Sequence, residues 1–118
     1  ISGSIGKVGF VTHDILPANT NQAFAIIRLK DLNSLTYIFH ILNSSMMKNY
    51  INQQVSVGAQ PNLNLEQMGN FKFKLPNLEE QKKIADFLSA IDVKIESLSN
   101  QINQTQNFKK GLLQQMFV

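Results

Sequence analysis

The sequence has no cysteine and no tryptophan, only three prolines, and aromatic residues fill just 8% of its 118 positions. Without cysteine there is no disulfide framework, no thiolate metal site and no cysteine nucleophile. The same absence agrees with a reducing cytoplasm, which is the compartment expected. No apolar run approaches the roughly 18 residues of a membrane span, and the start lacks a basic-then-apolar signal pattern, so no membrane partner is expected. The two histidines, His13 beside Asp14 and His40 in a helical pattern, are too few for a metal centre. Gly3, Gly6 and Gly9 recur at intervals of three, which is neither the dinucleotide fingerprint nor a phosphate-binding loop. There is also no Asn-Pro-Pro or Asp-Pro-Pro tetrapeptide of the kind a methyltransferase active site would need. The expectation is a chain with no catalytic residue and no cofactor of its own.

What remains is a foldable, mildly basic chain. Its 43% hydrophobic content can fill the core of one ordinary domain. It opens on Ile1-Ser2-Gly3-Ser4-Ile5-Gly6, which reads as the interior of a domain, so the amino end is expected to be a cut edge. The formal charge is +3, and its distribution is uneven. In residues 1–76, Lys7, Arg28, Lys30, Lys48, Lys72 and Lys74 outnumber Asp14, Asp31 and Glu66. In residues 77–118, Lys82, Lys83, Lys94, Lys109 and Lys110 are balanced by Glu79, Glu80, Asp86, Asp92 and Glu96. All the positive excess therefore lies in the first segment, which permits a polyanionic partner.

The patterning predicts an α+β chain: a mixed region over 1–76 followed by one long α-helix over 77–118. Val8–Thr12 is β-prone, Ala23–Leu29 is almost wholly apolar like a strand buried on both faces, and Phe71–Leu75 alternates like a strand with one wet face. His13–Gln22 reads as a loop. Ser34 is placed to cap a helix running to about Gln53, with Leu35, Ile38, Phe39, Leu42, Met46, Tyr50 and Ile51 at three- and four-residue steps. After a polar loop over 55–62, Asn64 with Gln67 should cap a short helical turn. Pro76 closes the third strand, and Asn77 with Glu80 starts the last helix.

That last helix carries the plainest signal in the chain. Ile84, Leu88, Ile91, Ile95, Leu98, Ile102, Thr105, Lys109, Leu112 and Met116 repeat with alternating steps of four and three, the seam of a coiled coil with Thr105 and Lys109 as polar interruptions. Each apolar seam residue gains roughly 1.5–3 kcal/mol when fully buried, less ordering costs. The stripe is longer than the small region before it can cover. A second helix is expected over it, from another segment or a second copy of the chain.

The run Leu75-Pro76-Asn77-Leu78-Glu79-Glu80-Gln81-Lys82-Lys83-Ile84-Ala85-Asp86-Phe87-Leu88-Ser89-Ala90-Ile91-Asp92, closing downstream on Lys109-Lys110-Gly111-Leu112-Leu113-Gln114-Gln115-Met116-Phe117, resembles the specificity subunits of type I restriction-modification systems. Gly3–Gly9, Asn21-Gln22-Ala23 and Gly58-x-Gln60-x-Asn62-Leu63 match in the same order, so the resemblance covers essentially the whole chain. It implies the later part of a DNA-reading target-recognition domain joined to a helix that pairs antiparallel with a second one, ending at the carboxy terminus of the protein. It further implies double-stranded DNA read at one half of a bipartite site, and partnership with methyltransferase and restriction subunits. S-adenosylmethionine, ATP and magnesium would reside on those partners.

Within that expectation the loops hold suitable chemistry. Lysine neutralises phosphates, and Asn or Gln can pair bidentately with adenine in the major groove. Lys7, Asn19, Asn21, Gln22, Ser56, Gly58, Gln60 and Asn62 are the candidate DNA-binding residues, on polar or glycine-containing loops. For Asn21 and Gln22 the competing role is to tie down loop backbone, and for Gly6 and Gly58 it is turn geometry. The rival function is a homodimerising coiled-coil module without specific DNA binding.

Overall fold

The computed structural model describes residues 5–21, 23–54 and 63–117. Its elements are two 3-10 turns, His13–Ile15 and Leu32–Ser34, followed by helices α1 (Leu35–Asn43), α2 (Ser45–Gln54), α3 (Leu65–Gly69) and α4 (Leu78–Met116). The chain divides into two units, Ile1–Lys82 and Lys83–Val118.

The expected α+β class is wrong for the described residues, which contain helices and turns but no strand. Val8–Thr12, Ala23–Leu29 and Phe71–Leu75 lie outside helices, yet none is hydrogen-bonded into a ladder. Alternation and β-branching report which faces a segment can bury. They do not supply the neighbouring backbone that a strand needs. Two of the runs are fixed by side chains instead. Phe10 stacks on Phe39 of α1 with ring centroids 4.3 Å apart. Phe71 packs against Tyr50 of α2 at 5.2 Å. The middle run has no such cover: Phe24, Ile26 and Ile27 are exposed.

The expected helix from Ser34 to Gln53 is present but broken. Ser44 adopts an extended backbone, with ψ of 164°, between α1 and α2. Its hydroxyl donates to the Ile41 carbonyl at 2.6 Å, and its amide donates to the same carbonyl at 3.1 Å. That satisfies an end group of α1 that would otherwise lack a partner. The Ser44 carbonyl then accepts from Lys48 N at 3.2 Å in the first turn of α2. The break resets the helical phase, so Met47 is buried and Met46 exposed, against the uninterrupted face expected from the sequence, while Ile51 is buried as that face requires. The start also differs. Asp31 accepts from Asn33 N at 2.9 Å and opens the 3-10 turn, whereas Ser34 makes no side-chain cap.

Leu42, Met47 and Ile51 form the centre of the first unit, with Ile5, Val8, Ile38, Tyr50, Leu63, Met68 and Phe71 packed around them. Gly6 shows how close that packing is. It has φ of +79°, a backbone conformation that favours glycine, and a Cβ there would lie 2.7 Å from Ile51 Cδ1, so the tip of that side chain would have to shift. Phenol hydroxyls tie the pieces together: Tyr37 donates to the Lys74 carbonyl at 3.2 Å and Tyr50 to the Gln67 carbonyl at 2.6 Å.

The two caps expected further along are formed. Asn64 and Gln67 make a reciprocal capping box on α3, with bonds of 2.7 and 2.9 Å. Asn77 Oδ1 accepts from Glu80 N at 2.9 Å at the start of α4, and the Gln81 side chain donates to the Pro76 carbonyl at 2.7 Å. From there α4 runs unbroken for 39 residues.

Candidate nucleic-acid interface and the apolar seam of α4

Of the eight residues proposed from sequence for DNA contact, Gln22, Ser56, Gly58, Gln60 and Asn62 lie outside the described residues. Lys7, Asn19 and Asn21 are exposed. Asn21 is committed in part to its own loop, since its Oδ1 accepts from Ala23 N at 2.9 Å and its carbonyl accepts from Phe24 N at 3.2 Å. Bidentate pairing with an adenine needs both the oxygen and the nitrogen of the carboxamide. Asn21 already makes the backbone-tying contact, and the second lone pair of its Oδ1 is the one a base edge would use.

A surface that the sequence reading missed lies between α1, α2 and the segment over 70–74. Two adjoining grooves of about 510 and 550 Å³ share Met46 and Lys72. The first is bounded by Tyr37, Ile41, Phe73 and Lys74. The second is bounded by Ser45, Asn49, Gln53 and Asn70, with Tyr50 and Phe71. Ser45, Asn49 and Gln53 recur every four residues and so share one face of α2. Across the groove, Phe71 and Phe73 are half-buried while Lys72 and Lys74 are exposed. The signal was in the sequence: a polar stripe out of phase with Met47 and Ile51, and lysines alternating with phenylalanines. It is obscured there because the apolar spacing continues across Ser44 as if for one helix, and 71–75 alternates as a strand does.

On α4 the stripe of apolar residues is laid out as its spacing requires. Ile84, Ile91, Ile95, Leu98, Ile102, Leu112 and Met116 are exposed, from 36% at Ile84 to 71% at Met116, and Leu88 is half-buried. Phe87 and Phe108 are exposed as well. They fall at one heptad position beside the seam and widen it. Thr105 carries its own solution to being polar there, since its hydroxyl donates to the Gln101 carbonyl at 2.8 Å.

Residues 1–107 match the family described as type I restriction modification DNA specificity domain. The chain belongs to that family. The EcoBI specificity subunit of Escherichia coli, from a type I restriction enzyme, is 30% identical over 99% of this chain and 26% of its own length. The MjaVIII specificity subunit of Methanocaldococcus jannaschii is 30% identical over 78% of this chain and 22% of its own length. The chain therefore spans about a quarter of the length of these curated relatives. No solved structure matches it. Specificity subunits are the non-catalytic members of type I systems, the class expected from the sequence. No helix among the described residues is long and apolar enough to cross a membrane.

Proposed function

We propose that this chain takes part in DNA sequence recognition as part of a type I restriction-modification specificity subunit, with its first unit at the DNA and α4 paired with a second helix. Membership of the specificity family carries the reading. The basic excess of residues 1–76 and the exposed seam of α4 support its two halves.

The mate of α4 is an antiparallel helix, from a second specificity half or a second copy of this chain. At 1.5 Å per residue such a helix is roughly 58 Å long, about 17 base pairs at 3.4 Å each. A paired rod of that length holds two reading heads over separate parts of a bipartite site and sets the gap between them. Methyltransferase and restriction subunits are the partners that would act at the site so marked, with S-adenosylmethionine, ATP and magnesium on those subunits.

Equilibrium binding of the chain to a labelled duplex across a salt series tests this. Phosphate contacts predict that log K falls linearly with log salt, because bound counterions are released. An absence of binding at low salt, together with self-association through α4, is the outcome of the rival reading, a dimerising module.

A further inference from the structure

We infer that the groove between α2 and the segment over 70–74 is a DNA-contacting surface in which Lys72 and Lys74 hold phosphates and Asn49 and Gln53 meet base edges. The inference rests on the DNA-recognition reading above and adds a site that the loop candidates did not include.

Three observations converge on it. First, the electrostatics are one-sided: residues 32–65 contain no aspartate or glutamate, the described lining of both grooves contains none, and Lys72 and Lys74 are exposed at the rim. Lysine at a phosphate is a point charge that replaces counterions, and a nearby carboxylate would oppose that. Second, the groove holds the neutral groups that base reading uses. Asn49 and Gln53 stand one turn apart on an exposed face of α2, with Ser45 a turn before and Asn70 opposite. Amide side chains present a paired donor and acceptor to adenine, and hydroxyls suit either role. Third, the walls are anchored. Met47 and Ile51 on the opposite side of α2 are buried, Tyr50 packs on Phe71, and Tyr37 bonds to the Lys74 carbonyl at 3.2 Å. The polar groups are therefore carried on backbone that is held in place, so a ligand need not order it.

The test compares the parent chain with two pairs of exposed-residue variants and one control pair on duplex DNA. Lys72→Ala with Lys74→Ala should weaken binding to all duplexes and make the log K against log salt slope shallower by about two. Lys82→Ala with Lys110→Ala removes the same charge from α4 and should leave the slope as in the parent. Asn49→Ala with Gln53→Ala should retain the parent's salt slope while its preference for a selected duplex over random DNA falls at least about fivefold. Circular dichroism of each variant should match the parent, because every replaced side chain is exposed. If the parent binds DNA and the groove pairs change neither slope nor preference, or the control pair changes the slope equally, the groove assignment is overturned while DNA recognition stands. If the parent itself binds no duplex, both fall.

Discussion

Single residues set the local geometry of the first unit, and two of them give direct tests. Gly6 combines a left-handed backbone with a 2.7 Å approach of a would-be Cβ to Ile51 Cδ1. A left-handed L-residue costs about 1–2 kcal/mol, and the shift of Ile51 Cδ1 away from a new Cβ adds to it. Gly6→Ala is therefore expected to lower unfolding stability by about 1–2 kcal/mol in a urea titration, where Gly9→Ala, with open space around it, should not cost as much. Asp14 is the second case. A hydrogen bond from the Thr12 side chain, aided by a backbone bond, holds its carboxyl below the ordinary 3.8. A depressed folded value means that the small stabilising contribution is present above 3.8 and is lost as pH falls through the lower folded value. An NMR titration of the Asp14 side chain should show a midpoint below 3.8 that returns toward it in Thr12→Ala; an unchanged midpoint would remove the Thr12 bond as the cause.

Among elements, α4 bears the functional claim that is easiest to break. Ile95→Asp with Ile102→Asp places charge in the middle of the seam, and the parent chain, given no other helix, should pair with itself. Light scattering at micromolar concentration should report a dimer for the parent and a monomer for the double variant. A parent that stays monomeric would leave the seam without its proposed role. Helix α4 was legible because a three-four repeat sustained from Ile84 to Met116 admits one secondary structure, and the Asn64 and Asn77 caps were legible because their bonds are local. Ser44 was not. Serine is a favoured cap, but the apolar spacing continues across Ser44, and the phase change that buries Met47 in place of Met46 is visible only in three dimensions. The strands failed for a related reason: Val8–Thr12 and Phe71–Leu75 have the right side chains, but their partners are Phe39 and Tyr50, not a neighbouring backbone. The same two features conceal the groove in the sequence, because its polar stripe belongs to α2 as a separate helix.

The whole chain carries two separate features, a positive excess confined to residues 1–76 and an exposed apolar stripe along α4. Neither feature alone distinguishes a DNA-specificity subunit from a dimerising module; membership of the specificity family over residues 1–107 supports the first reading. The loops around Lys7, Asn19 and Asn21 and the groove at Lys72 then become competing places for the same contact, to be resolved by substitution. The most direct measurement is selection of duplexes by this chain from a randomised pool, followed by sequencing of the bound fraction. Recognition predicts enrichment of a short, defined motif, repeated as two spaced halves where α4 has paired two copies. A bound fraction as random as the starting pool would contradict it.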